Sequence, residues 1–586
     1  MPVHNADIAR AFEEIADLLE IEEANPFRVR AYRNAARTLG GLRLDIAATI
    51  SEGGELPKLP GIGADLANKI REIAATGTCG LLERLKTELP PAITELLRIP
   101  GLGPKRVKVL YHDLGVHTIE QLHEAAREGR VRSLAGFGEK TELGILQSVE
   151  TRLSGARRFK LALAAQYAQP LAAYLRQAEG VGEVVIAGSF RRWRETVGDI
   201  DILVSAAPGA PVMERFASYG EVKEVLASGP ARSSVILASG IQVDLRVVAE
   251  GSFGAALHYF TGSKAHNIAV RRIAQEKGLK LNEYGVFRRG KPVAGKTEAS
   301  VFEVLGLEFI PPELREDAGE IEAARRGRLP RLVERSDLRG DLHTHTRATD
   351  GRASVREMAL AAREQRFSYL AITDHSRRER MAHGLDPRRL AKQMDEIERL
   401  NGQLEGITLL KGIEVDILED GSLDLPDSAL AQLDLVIGAV HSHFRLPRAR
   451  QTERILRALD RSHISVLAHP SARLIGEREP CDVDMLRIIR KARDRGVFLE
   501  LDAQPDRLDL SDIHCRMAKD EGVPVAVNSD AHSALEFDNL RFGIGQARRG
   551  WLERSDVLNT RTLAELKPLL AATMGRSPRR AKRIAK

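Results

Sequence analysis

At roughly 150 residues per domain, a chain of 586 residues predicts three to five domains. Hydrophobic residues at 43% and charged residues at 29% exclude a disordered or collagen-like chain, and aromatics at 4% require cores of Leu, Ile, Val and Ala. The net charge of +6 is a thin field over this length, and the six basic residues of Arg576 to Lys586 account for all of it.

Residues 1–155 read as helical. Ile8–Ile21 and Leu66–Ala75 place apolar residues at three- and four-residue spacing. Between helices a short pattern recurs: Leu59-Pro60-Gly61-Ile62-Gly63, Ile99-Pro100-Gly101-Leu102-Gly103 and Leu134-Ala135-Gly136-Phe137-Gly138. Two glycines permit positive φ and a close backbone approach. The helix that follows offers unpaired N–H groups to a phosphate. One such turn is equally an ordinary helix connection. Three copies, with Lys69, Lys105, Arg106 and Lys140 just downstream, favour DNA. The pattern resembles the helix-hairpin-helix motif.

From about residue 180 short β-branched runs appear: Val184–Ala187, Ile200–Val204, Val235–Leu237 and Ile241–Val248. Within Gly188-Ser189-Phe190-Arg191-Arg192 to Gly198-Asp199-Ile200-Asp201, the two aspartates share one strand face. Asp244, on a second strand, is placed to complete a three-carboxylate cluster. Hard oxygen ligands suit Mg²⁺ or Mn²⁺. Gly188, Ser189 and Arg192 offer donors and a cation to a triphosphate. A lone Asp-x-Asp pair is more commonly a solvated edge strand; the Gly-Ser turn ten residues upstream argues otherwise. Pro311-Pro312 and the charged stretch Glu313–Arg339 read as a connector.

This region resembles the DNA polymerase X family within the nucleotidyltransferase superfamily, on GSFRR…GDIDIL and on Tyr259-Phe260-Thr261-Gly262-Ser263 with Asn267 and Arg271. The resemblance covers about residues 1–315. It implies that Asp199, Asp201 and Asp244 bind catalytic metals. It also implies that Tyr259, Phe260 and Gly262 line the nucleotide site, and that Asn267 and Arg271 face the nascent base pair. On residues alone, the YFTGS segment fits a strand end and turn. Lys69 aligns with the Schiff-base lysine of β-type members, which implies 5′-deoxyribose phosphate lyase chemistry. A phosphate-contacting or merely exposed lysine is the alternative.

From residue 340, strand-like runs alternate with amphipathic helices: Tyr369–Thr373, Thr408–Ile413, Leu433–Val440, Ile464–Ala468, Val497–Leu501 and Val523–Asn528. About seven βα units predict a parallel sheet closed as a distorted barrel. Ten of the 16 histidines lie between His343 and His532. They cluster with acids at successive strand ends, where barrel active sites converge, and imidazole with carboxylate suits Zn²⁺, Mn²⁺ or Fe. This half, about 340–575, resembles the PHP (polymerase and histidinol phosphatase) domain. That implies up to three ions on His343, His345, Asp350, His375, Glu414, His441, His469, Asp530 and His532. His383 and His443 are expected as supporting or phosphate contacts, and His463 and His514 as structural or surface residues.

The expected divisions are residues 1–80 (helical, lyase-like, first hairpin turn), 81–155 (helical, fingers-like, two further turns), 156–250 (α+β palm), 251–315 (thumb-like, nucleotide selection), 316–338 (linker), 339–575 (PHP nuclease) and 576–586 (basic tail, a solvated end or a nonspecific DNA contact). Cys79, Cys481 and Cys515 form no CxxC pair. No membrane-length apolar run occurs, and Met1–Arg10 lacks a signal-type core. A monomeric protein of the bacterial cytoplasm or nucleoid is expected. Its partners would be dNTPs and gapped or primer-template DNA without sequence preference. The expected activity is gap-filling DNA synthesis with 3′–5′ exonuclease or other 3′-end processing. A repair nuclease whose first half only positions DNA, and a non-catalytic scaffold, are the rivals.

Overall fold

A computed structural model of the chain describes residues 3, 5–22, 24–41, 46–51, 56, 59, 61–88, 96–97, 99, 102–153 and 158–575. Gly101 of the second turn, the Lys140 side chain and the tail from 576 lie outside the described residues. Two compact units emerge, Met1–Leu329 with Gly476–Arg478, and Pro330–Ile475 with Glu479–Lys586.

The first unit begins with helices Asn5–Ile21, Pro26–Gly41, Ala64–Thr76 and Gly80–Glu88. Ile8, Phe12, Ile15, Leu39, Ile70 and Ile73 recur at helical spacing and form one buried core. Helices Pro104–Leu114, Ile119–Arg127 and Glu139–Leu153 bury a second around Val107, Leu110, Leu122 and Val149. Thr118 caps the Ile119–Arg127 helix reciprocally with Gln121.

A five-stranded sheet follows. Its spatial order is Val181–Ile186, Asp199–Ala206, Gln242–Val248, Arg232–Leu237, Val222–Ser228. Asp199–Ala206 and Gln242–Val248 run parallel, and the other neighbours are antiparallel. Ile200, Ile202, Val243 and Leu245 are buried on the apolar face. The Val222–Ser228 strand escapes the sequence reading because it is an edge strand, exposed over nearly its whole length, with no apolar alternation to announce it.

Helices Phe253–Thr261 and Lys264–Glu276 and the small sheet 280–294 form the thumb-like part. Tyr259, Phe260 and Thr261 are the last turn of a helix, not a strand end; Gly262, at φ +65°, stops it. The charged connector is partly built into this unit. Arg315 is fully buried and donates to Glu298 (2.6 Å), and Glu320 is buried against His266 Nδ1 (2.7 Å). Buried charges persist where they are paired, so the charged composition misled.

In the second unit every strand pair is parallel. Gly340–Asp341, Tyr369–Ile372 and Thr408–Lys411 form one sheet. Glu414–Asp416, Ile437–Ala439, Val466–Leu467, Phe498–Asp502 and Val525–Asn528 form another. Single parallel bridges join His375 to Glu414 and Thr344 to Ala531. The strands are buried along their length and are covered by helices such as Val355–Glu364, Pro387–Asn401 and Met485–Arg495.

Candidate active sites

Parallel register sets Asp201 directly opposite Asp244, and Asp199 opposite Gln242. Asp199 is exposed, Asp201 half-buried and Asp244 buried. The Asp201 carboxyl is pushed up to about 7, first by burial and then by the charges of Asp199 and Asp244. Such crowding is what a divalent cation offsets. Asp244 is held on its own sheet: Ser234 Oγ donates to Oδ1, and Gln242 Nε2 donates to Oδ2 (3.3 Å). Gly188, at φ +60°, lies against Asp201, and a Cβ there would collide with that carboxylate. The glycine of the Gly-Ser turn is therefore required by the acid beside it.

The expected nucleotide residues gather behind these acids. Arg192 Nη1 donates to the Thr261 carbonyl (2.5 Å), and its Nε donates to Glu316 (3.1 Å). Arg192 therefore ties the Gly-Ser turn to Thr261-Gly262 rather than standing as an uncommitted cation. Its neighbour Arg191 donates to the Thr261 hydroxyl (2.7 Å) and pairs with Glu298 (2.6 Å). Asn267 donates to the Tyr259 carbonyl (2.7 Å). Arg271 lies over the Tyr259 ring, and Arg246 over the Phe260 ring at 4.4 Å.

At the Gly-x-Gly turns, Gly61 and Gly136 adopt positive φ, and Gly63 and Gly103 cap the helices that follow. A Cβ on Gly63, Gly103 or Gly138 would meet nothing within 4 Å, so these helix starts face open space. Lys105 is exposed in the first turn of its helix. Arg106 instead donates to the Gly136 carbonyl (3.1 Å) and links the second turn to the third. Lys69 is paired with Asp65 (2.5 Å). Burial opposes its charged form, but Asp65 and Tyr32 outweigh burial and hold its pKa above the ordinary value.

The second unit collects the nine expected ligands at strand ends. Glu414 sits centrally. Its carboxylate lies 2.8 Å from His375 Nδ1, 3.1 Å from His441 Nε2 and 3.0 Å from His469 Nε2. Its distances to Nε2 of His343 and His345 are 3.5 and 3.6 Å. Among the nine, three groups have ligand atoms within 4.8 Å of one another: His345, Asp350, His375 and His532; His343, His345 and Asp530; His375, Glu414 and His441; a fourth joins His441 to Glu379 and Asp416. Only His469, of the nine, belongs to none of them, though it touches Glu414. Among the described residues, clusters this tight occur only in the second unit. Buried Nδ1 atoms of His345 and His469 have no hydrogen-bond partner, as expected where lone pairs await a cation. Asp530 and His469 take positive φ, at +48° and +24°, the backbone cost of aiming them inward.

Two residues absent from the sequence reading hold the cluster. Glu500 is fully buried and accepts from His343 Nδ1 (2.7 Å), Asn528 Nδ2 (2.9 Å) and the His469 N–H (2.8 Å). Asp416 accepts from His441 Nδ1 (2.6 Å). Each fixes the imidazole tautomer that leaves Nε2 open to a metal. Their signal was available as acids inside the apolar strands 498–502 and 414–416. His383 and His443 are exposed, at φ +57° and +55°.

An acid-bearing palm with a thumb and hairpin turns, together with a separate histidine cluster on parallel strand ends, defines a two-centre enzyme. One centre is of the nucleotidyltransferase type and the other of the PHP type. Residues 3–79 match the family described as helix-hairpin-helix domain, 93–150 the SAM-like helix-hairpin-helix tandem, 256–316 the DNA polymerase beta thumb, and 341–502 the PHP domain. The chain is 39% identical over 572 residues to the DNA polymerase/3′–5′ exonuclease PolX of Bacillus subtilis (strain 168), covering 97% of this chain and 99% of that one. It is 27% identical to DNA polymerase lambda of Rattus norvegicus over 53% of this chain and 56% of that one. It is 28% identical to a probable phosphatase of Thermoanaerobacter sp. (strain X514) over 38% of this chain and 89% of that one. The chain belongs to the PolX family.

Proposed function

We propose that this chain is a DNA-directed DNA polymerase of family X that fills short gaps during repair, with a 3′–5′ exonuclease in its PHP domain. The observation that carries this is full-length similarity to a DNA polymerase/3′–5′ exonuclease, together with both sets of acids and histidines standing intact.

In the palm, Asp199, Asp201 and Asp244 would hold two Mg²⁺ or Mn²⁺ ions, which would favour deprotonation of a primer 3′-hydroxyl and offset the charge of the leaving pyrophosphate. Gly188 and Ser189 present N–H and hydroxyl groups to the triphosphate, and Arg192 holds this turn against the thumb. Tyr259 and Phe260, stiffened by Arg271 and Arg246, bound the sugar site. Asn267 and Arg271 face the base pair. The glycine turns and Lys105 grip the backbone independently of sequence. Lys69 acts as a phosphate contact; its pairing with Asp65 works against the neutral amine that a Schiff base needs.

In the PHP domain, the nine ligands hold up to three ions, Mn²⁺ or Zn²⁺ among the candidates. Ions so held would activate water for attack on a phosphodiester. Glu500 and Asp416 orient His343 and His441 for that role. The protein acts as a monomer in the bacterial cytoplasm. The test is extension and shortening of labelled gapped DNA with Mg²⁺ and with Mn²⁺. Absence of extension by the purified protein removes the polymerase reading.

A further inference from the structure

The loop that follows His375 borders a cavity of about 370 Å³, lined by Arg377, Arg378, Leu418, Leu423 and Asp424. The cavity adjoins the histidine cluster through shared hydrogen bonds. Ser376 Oγ donates to Asp424 Oδ1 (2.7 Å), and the Arg378 N–H donates to Asp424 Oδ2 (2.9 Å). The Asp416 N–H donates to both Ser376 Oγ (3.1 Å) and Asp424 Oδ1 (3.2 Å), while the Asp416 carboxylate holds His441. Glu379, on the same loop, brings its carboxylate within 4.8 Å of the ligand atoms of Asp416 and His441.

The lining suits an anionic guest with an apolar part. Arg377 and Arg378 are exposed, and their guanidinium groups have no partner among the described residues. Asp424, the acid in the wall, is already engaged by Ser376 and by the Arg378 N–H. Behind Leu418 lies the buried Arg454. It donates to the carbonyls of Leu418 (2.9 Å) and Ser442 (2.7 Å) and to that of Ile417, all neutral oxygens. The two exposed guanidinium groups of Arg377 and Arg378, beside a carboxylate already satisfied, favour a phosphate. Leu418 and Leu423 offer a wall for a sugar or base, and the volume falls in the range of small-ligand sites, about 300–1,000 Å³.

We propose that this cavity seats the nucleotide preceding the 3′-terminal one, with its phosphodiester on Arg377 and Arg378, while the terminal phosphodiester lies on the histidine cluster. The proposal rests on the nuclease reading above. It makes the centre select a strand over an isolated phosphate ester.

The test compares wild type with Arg377→Ala/Arg378→Ala in Mn²⁺, on two substrates. One is a short single-stranded oligonucleotide. The other is thymidine 5′-p-nitrophenyl phosphate, which has one nucleotide and no preceding phosphodiester. The ratio of oligonucleotide to small-ester kcat/KM is expected to fall about tenfold, mainly through KM, the scale of a lost charged hydrogen bond. Arg377→Lys/Arg378→Lys recovers part of it by keeping the charge. A ratio that stays within about twofold, or a small-ester activity that falls as far as the oligonucleotide activity, overturns the proposal. Wild type that cleaves neither substrate removes the nuclease reading itself, and this proposal with it.

Discussion

Asp201 and Asp244 face each other in register on parallel neighbouring strands, and the Asp201 carboxyl is pushed up to about 7 by burial and by the charges of Asp199 and Asp244. Asp201→Asn and Asp244→Asn are each expected to lower primer extension by roughly 10²–10³, the loss typical of a preorganised transition-state contact. Shortening of a labelled 3′ end by the same preparations persists, and gel analysis of both products checks it. With the Asp201 carboxyl pushed up to about 7, divalent-metal affinity in the palm is expected to fall as pH drops below 7, which calorimetric titration at pH 6 and pH 8 checks.

Gly188→Ala is expected to abolish extension. The added Cβ collides with the Asp201 carboxylate, and φ of +60° costs a non-glycine residue about 1–3 kcal/mol. Melting curves and extension assays on the one variant separate the two effects. Exonuclease activity is unaffected by this change.

Glu500→Gln and Asp416→Asn test the supports of the histidine cluster. Each removes the carboxylate that fixes a ligand imidazole, and a 10–100-fold weaker metal affinity is the usual scale of such a loss, so about that much is expected here. Titration of the apo-protein with Mn²⁺, followed calorimetrically, measures it directly.

Loading the PHP centre is expected to release protons. In metal-free protein, burial disfavours charged His441, but Glu414 and Asp416 outweigh burial and push its pKa to about 9. The folded-state pKa lies above the ordinary value, so the proton is bound at neutral pH and must leave before Nε2 coordinates. Affinity then rises about tenfold per pH unit for each proton released, up to about pH 9. Calorimetry in buffers of different ionisation enthalpy counts those protons.

In the palm, period-two alternation sets Asp199 and Asp201 opposite the buried Ile200 and Ile202, which makes that pair readable from the sequence. The histidines and acids of the second unit follow strands buried on both faces, such as 369–372 and 525–528, and are read from their place after successive apolar runs instead. What escaped was long-range. Nothing local says that Arg192 reaches Thr261 or that Arg106 reaches Gly136. The charged stretch Glu313–Arg339 reads as a connector because charge predicts exposure, and within it the pairs Arg315–Glu298 and Glu320–His266 reverse that. On residues alone the YFTGS segment fits a strand end as well as a helix end, because the helix runs upstream through Phe253-Gly254-Ala255-Ala256-Leu257, whose apolar residues show no period that separates helix from strand.

The most direct test of two independent centres in one chain uses a single gapped DNA, labelled on the primer strand, with three proteins. These are wild type, Asp201→Asn/Asp244→Asn, and His343→Ala/His441→Ala. Wild type is expected to extend the primer with dNTPs and to shorten it without them in Mn²⁺. The palm variant shortens but does not extend, and the histidine variant extends but does not shorten. If either variant lost both activities while folded, or kept both, the assignment of one chemistry to each centre would be contradicted.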